Sequence, residues 1–299
     1  MIQIQRSRVK EARAKKVHLI YFTCDKHFDN LWLSLRSLER LNLDCIGNVY
    51  LFIDKQDFLT EPHSQALNRL SLDCVVIKNQ KIWGWGYSDV SAEIKSFLQV
   101  GAEINPQDYI AKTDSDVLFV SGDTFFKVLE SGKDAFGHLV NYWEPVIYFQ
   151  GGCYFIKAAL IEEFKNFDMN ILPRVVEAMS NEIARSRLRF HQGVCPEDAA
   201  IYHFLKTKTD QIALKEFFGS RHDIFNLKKT FTMIHYNGCR EKMTRFEMFK
   251  ATVIRNALRK SEPFGTWLTM LARVMRKRIK SLLRISNPQQ AEVSHESPH

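Results

Sequence analysis

Long apolar runs are missing from this 299-residue chain. No stretch approaches the roughly 20 apolar residues that cross a bilayer, so no membrane-spanning helix is expected. Paired cysteines are missing as well. The six cysteines, at 24, 45, 74, 153, 195 and 239, contain no C-x-x-C pair. That argues against a zinc site or a disulfide framework, and fits a cytoplasmic protein whose cysteines are mostly small buried hydrophobes. The opening residues, MIQIQRSRVKEARAKK, have no apolar core and are not expected to act as a secretory signal. There is no internal repeat, and no low-complexity stretch beyond the Ser/Pro/His-flavoured tail. The body of the chain also lacks positive charge. The net charge is +8, but residues 1–16 sum to +5, residues 250–285 to +9 and residues 286–299 to −2, which leaves −4 for residues 17–249. Bulk basicity therefore gives no reason to expect that the fold binds nucleic acid.

What is present is a globular composition. Hydrophobic residues make up 45% and aromatics 12%, including 22 Phe, enough for one large α/β domain with appendages. Val17–Phe22 (VHLIYF), Val49–Ile53 (VYLFI) and Cys74–Ile77 (CVVI) are near-continuous apolar runs of strand length. Between the first two, Leu31, Leu35, Leu38 and Leu41 recur at helical spacing. Apolar strands alternating with helices predict a mostly parallel sheet covered on both faces. The expected organisation is a basic lead-in over 1–16, a catalytic domain over 17–249, a basic amphipathic extension over 250–285 and a flexible tail over 286–299.

The stretch DYIAKTDSDVLFV, Asp108–Val120, organises the rest. A buried strand delivers Asp114, Ser115 and Asp116, and the chain then turns apolar again. In a parallel sheet the C-terminal strand edge is where loops and ligands gather. Two carboxylates there repel each other unless a cation lies between them, and a hard divalent ion bridging phosphate oxygens answers that need. Further on, WGWGY (83–87) is a Gly-aromatic loop. Val90, Ile94, Phe97, Leu98 and Gly101 mark one face of the next helix, with Lys95 beside that stripe. A helix is expected over Asp123–Glu130 and a strand over Ala135–Val140. Gln150–Ile156 (QGGCYFI) joins two glycines to an apolar strand, and Lys157–Phe164 turns helical. A helix is expected over Ile171–Leu188. Cys195-Pro196-Glu197-Asp198 opens another over Ala199–Leu205, where acids in the first turn are also ordinary helix-start chemistry. Thr230–His235 (TFTMIH) is the last expected strand, followed by Tyr236, Asn237, Gly238, Cys239, Arg240, Glu241 and Lys242.

Taken in order, the DSD at 114–116, FQGGCYFI at 149–156, PEDAAIYHFL at 196–205 and HYNG at 235–238 resemble a GT-A fold glycosyltransferase over about residues 17–245. The resemblance implies a single Rossmann-like domain that moves a sugar from a nucleotide-sugar donor, commonly UDP-linked, to a glycan or glycolipid acceptor. It makes Asp116 a ligand of Mn²⁺ or Mg²⁺, with Asp114 on the donor ribose or the metal and His235 the C-terminal metal ligand. Thr23 and Asp54 fall where such enzymes hold the base, while Lys95, Ser115 and Lys242 (or Arg240) fall near the nucleotide or donor sugar. Gly151 and Gly152 would shape the acceptor side. The acidic helix start is where inverting members place a general base, Asp198 or its neighbour Glu197. HYNGCREK also resembles the His-x-x-Gly-x-x-Lys ending of retaining members, with the lysine displaced by one position. Both outcomes therefore stand, inversion foremost.

Residues 264–285 read as one helix. Phe264, Trp267, Leu268, Leu271, Val274, Met275, Ile279, Leu282 and Leu283 mark one face, and Arg273, Arg276, Lys277, Lys280 and Arg284 the other. This suits peripheral contact with an anionic membrane, or docking on the catalytic domain. Such a protein would serve polysaccharide biosynthesis. The rival readings are a metal-dependent nucleotidyltransferase and a binding protein on a transferase-like fold.

Overall fold

A computed structural model describes residues 14–54, 57–78, 87–143, 146–168, 170, 196–219 and 231–235. The chain divides into two compact units, Met1–Met243 and Thr244–His299, and everything described lies in the first. The expected helix over 171–188, most of the WGWGY loop, Lys242 and the basic helix over 264–285 fall outside the described residues.

Strands β1 (Val17–Thr23), β2 (Ile46–Ile53), β3 (Cys74–Lys78) and β4 (Tyr109–Thr113) pair in parallel, in the order β3-β2-β1-β4. All four therefore end at one edge of the sheet. An antiparallel hairpin, β6 (Ala135–Trp143) and β7 (Val146–Lys157), continues it, with β7 against β4, and β8 (Ile212–Lys215) closes it in parallel with β6. Four of the six strand neighbours are parallel, so the sheet is mixed but mostly parallel. Every residue of β4 is buried, and in β1 all but Phe22 are, as continuous apolar strands require when both faces are covered. β3 departs from the expectation. It is the sheet's edge, and Val75 and Val76 are 37% and 52% exposed.

Helices pack on the two faces. In α1 (Phe28–Glu39), Leu31, Leu35 and Leu38 are fully buried against Val17, Leu19 and Tyr21 of β1, each contributing about 1.5–3 kcal/mol. Helix α2 (Glu61–Leu67) follows β2. Helix α3 (Tyr87–Gly101) buries Val90, Ile94 and Phe97 on the opposite face, beside α5 (Pro196–Lys208). Helix α4 (Asp123–Ser131) ends at Gly132, whose φ of 64° provides the left-handed residue that closes a helix. At the N-terminal end of the sheet, the buried His18 ring donates from Nε2 to Asp108 at 3.3 Å and accepts the Asn48 N–H on Nδ1 at 3.1 Å. The four described cysteines are unpaired, as expected, but only Cys153 is buried.

The apolar runs on either side of the acidic motif belong to two different sheets. After β4 the chain leaves the main sheet, and β5 (Val117–Phe119) joins β10 (Met233–His235) and β9 (Phe218–Gly219) in a separate three-stranded sheet.

Candidate active site

The shared strand edge assembles a cluster from distant parts of the chain. Asp114 follows β4 directly, and its N–H donates to Gly152 O at 2.9 Å. Antiparallel pairing of β5 with β10 sets His235 opposite Val117, next to Asp116. His235 Nε2 consequently lies 3.2 Å from Asp116 Oδ1 and 3.5 Å from Asp114 Oδ2. One donor atom from each of the three residues falls within 4.8 Å of the others. Two hard carboxylate oxygens and one borderline imidazole nitrogen form a donor set that can hold a divalent ion such as Mn²⁺ or Mg²⁺. Gln150 supports the ring from behind, its amide 3.2 Å from His235 Nδ1. The amide nitrogen faces Nδ1 while its oxygen, Oε1, is buried without a partner, so a half-turn of the amide would set that oxygen where a protonated Nδ1 needs an acceptor when Nε2 faces a metal.

Lys112 lies under the cluster. It is 8% exposed, and its ammonium donates to Asp114 Oδ1 at 2.8 Å and to Gly151 O at 2.6 Å, with Asp198 Oδ1 at 3.8 Å. Burial opposes the ammonium, but the charges of Asp114, Asp198 and Glu93 outweigh it and hold its pKa well above the ordinary lysine range. Asp114 responds in kind. Burial raises its pKa, but Lys112 and then His235 bring it well below the usual carboxylate range. Behind Lys112, the buried Tyr154 hydroxyl donates to the Glu93 carboxylate.

No family model matches the chain, and no curated protein sequence matches it. Solved structures do. The apo-form glycosyltransferase GlyE of Streptococcus pneumoniae superposes with a TM-score of 0.51 at 12% identity, over 88% of this chain and 64% of that one. The galactosyltransferase LgtC, in complex with donor and acceptor sugar analogues, gives 0.48 at 12% identity, over 85% of this chain and 99% of that one. Mouse xyloside xylosyltransferase 1 gives 0.47 at 12% identity, over 77% and 99%. The chain has a GT-A-like glycosyltransferase fold.

Within the GT-A-like fold, the expected residues are placed unevenly. Asp114, Asp116 and His235 come together, with Ser115 in the turn between the acids. Thr23 and Asp54 end β1 and β2 at the same edge, joined by Asp54 N–H to Thr23 O at 3.2 Å, and Thr23 is itself buried. Lys95 stands on the exposed side of α3, and Glu93 on that helix turns inward. Asp198 is only 1% exposed, packed against Gly151 and Lys112. Its carboxylate is engaged inside the protein, an unfavourable setting for a base that must meet an incoming hydroxyl. Glu197 lies in the first turn of α5.

The two glycines admit the protein's own side chains. A Cβ on Gly151 would come within 1.9 Å of Asp198 Oδ2, and one on Gly152 within 2.6 Å of His235 Nδ1. Gly152→Ala should therefore displace the His235 ring, destabilise the fold by about 1–3 kcal/mol and weaken divalent-ion binding. Thermal melts and calorimetric ion titration check both effects. Unchanged ion affinity would separate Gly152 from the cluster.

Lys112, Glu93 and Gln150 carry no motif of their own that marks them in the sequence. One signal was legible, since a lysine inside an otherwise apolar central strand must find a buried anion.

Proposed function

We propose that the protein is a metal-dependent glycosyltransferase that moves a sugar from a nucleotide-sugar donor, UDP-linked in our reading, to a hydroxyl of a glycan or glycolipid. The observation that carries this reading is the convergence of Asp114, Asp116 and His235 at the C-terminal edge of a GT-A-like sheet. Breaking a sugar–diphosphate bond leaves a charged diphosphate, and a divalent ion held there supplies the neutralising charge. Asp116 Oδ1, Asp114 Oδ2 and His235 Nε2 would hold the ion, with Gln150 keeping the imidazole oriented. Thr23, Asp54 and Ser115 line the edge where the nucleotide would lie. Lys95 from α3 and Lys242 after β10 would approach the phosphates or donor sugar, and Gly151 and Gly152 border the acceptor side.

The burial of Asp198 weighs on stereochemistry. An inverting enzyme needs a free carboxylate beside the acceptor, and Asp198 is engaged with Lys112. Glu197 is the other acid available for that role. Retention, which needs no such base, is accordingly the reading we favour.

The first experiment is a thermal-shift screen of nucleotide sugars with and without Mn²⁺. A ligand at 100 times its Kd raises stability by about 2.7 kcal/mol. The reading expects a metal-dependent shift with at least one nucleotide sugar. Stabilisation by nucleoside triphosphates alone would favour the nucleotidyltransferase alternative.

A second expectation concerns pH. With no ion bound, burial opposes the His235 imidazolium, but Asp116 and Asp114 outweigh it and push its pKa up to about 10. An ion that takes Nε2 must release that proton, so protons compete with the metal. Since the ring is protonated throughout the neutral range, Mn²⁺ affinity should rise about tenfold per pH unit between about pH 6 and 8, as one released proton requires. Calorimetry in buffers of different ionisation enthalpy reads the proton directly. A pH-independent affinity would remove His235 from the ligand set.

No described helix is long and apolar enough to cross a membrane. For residues 264–285 we propose reversible contact with an anionic lipid surface, from the apolar and basic faces written in the sequence. Each basic residue near such a surface contributes about 1 kcal/mol, and salt weakens it. Full-length protein should sediment with anionic vesicles at low salt, and a chain ending at Glu262 should stay in the supernatant. Equal behaviour of the two would place the helix's role elsewhere.

A further inference from the structure

Asp114 spends only one of its oxygens on the candidate metal position. Its Oδ2 is 3.5 Å from His235 Nε2, while its Oδ1 accepts from Lys112 at 2.8 Å. Lys112 is itself held fast. Its ammonium also donates to Gly151 O at 2.6 Å and faces Asp198 Oδ1 at 3.8 Å, and the Tyr154 ring lies 5.8 Å from Nζ. These contacts come from β4, β7 and α5, so the amine cannot swing away without breaking the joint between three elements. Resting on the metal-dependent reading above, we propose that Lys112 restricts Asp114 to a single metal-facing oxygen, and so biases the site toward small divalent ions and against calcium.

Coordination number separates the ions. Ca²⁺ collects six to eight oxygens and readily takes a carboxylate through both. Mg²⁺ requires near-ideal octahedral geometry and takes one oxygen per carboxylate, and Mn²⁺ favours the same octahedral oxygen set. A lysine bonded to Oδ1 forbids bidentate binding by Asp114, at little cost to the small ions and a greater one to calcium. Removing the lysine also makes the site one charge more negative, which strengthens every divalent ion in similar measure. The ratio of affinities, and not any single affinity, therefore reports the oxygen count.

The experiment titrates MnCl2, MgCl2 and CaCl2, each alone, into wild type, Lys112→Met and the double variant Lys112→Met/Asp198→Asn. The double variant removes the buried acid that the single one leaves uncompensated, and circular dichroism confirms folding. The preference for Mg²⁺ and Mn²⁺ over Ca²⁺ should fall by about tenfold or more in whichever variants fold, the scale expected when a ligand's supporting partner is lost. A preference unchanged within about twofold would overturn the proposal, and so would failure of both variants to fold, which would make Lys112 a packing residue. If wild type binds none of the three ions, the metal-dependent reading itself fails. If it binds them and the ratio does not move, only the role of Lys112 falls.

Discussion

Asp116→Asn should bind Mn²⁺ more than about 100-fold more weakly than wild type, exceeding the 10–100-fold loss typical of a ligand's supporting partners. Its nucleotide-sugar turnover should fall at least as far. The fold should survive, because Asp116 sits in the turn after β4 rather than in the packed core and no apolar contact is removed. The exchange is nearly isosteric, so what is lost is the charge and one strong oxygen donor. Without that carboxylate, the His235 imidazolium also loses the largest influence holding its pKa up. Circular dichroism and ion calorimetry on the same preparation separate loss of site from loss of fold. Near-native ion binding by this variant would take the cluster out of the reaction.

Asp198 makes the second large prediction, and here two roles give opposite results. The residue is buried against Lys112 and Gly151. Removing one partner of a buried pair costs about 3–5 kcal/mol. Lys112 keeps Asp114 and Gly151 O as partners, so Asp198→Ala should lie at the lower end, about 3 kcal/mol. Asp198→Asn preserves the shape and should slow turnover by less than about tenfold, whereas loss of a general base costs about 10²–10⁴-fold. Urea denaturation of the alanine variant and steady-state kinetics of the asparagine variant decide between the roles. A stable protein with turnover reduced a thousandfold would restore Asp198 as the base, and inversion with it.

Much of the scaffold was readable because burial on both faces leaves a plain mark. β1, β2 and β4 are mostly apolar runs, and the Leu31–Leu35–Leu38 stripe of α1 follows helical spacing. The exposure of β3 was not readable. CVVI looks like any buried strand, and only its place at the sheet's edge leaves Val75 and Val76 in solvent. Nor was the transfer of β5 to a second sheet, since a three-residue strand shows no periodicity and its partner β10 lies more than a hundred residues away. The metal-facing trio could be named because each member ends or follows an apolar strand. The meeting of its electrostatic partners could not. Lys112, Glu93 and Asp198 meet through β4, α3 and α5, and such a three-way contact leaves no local spacing to detect. The role of Gly151 and Gly152 was hidden for the same reason, because the side chains filling their empty Cβ positions come from 47 and 83 residues further along.

The most direct test of the central claim is product analysis. Wild-type protein would be incubated with a panel of UDP-sugars and water or a glycan acceptor, with Mn²⁺ or with excess chelator, and the phosphorus products followed by NMR. The metal-dependent transferase reading predicts UDP as the nucleotide product with at least one donor, formed with Mn²⁺, suppressed by chelator and absent in Asp116→Asn. UMP and sugar 1-phosphate in its place, or UDP formed equally well with chelator present, would contradict it.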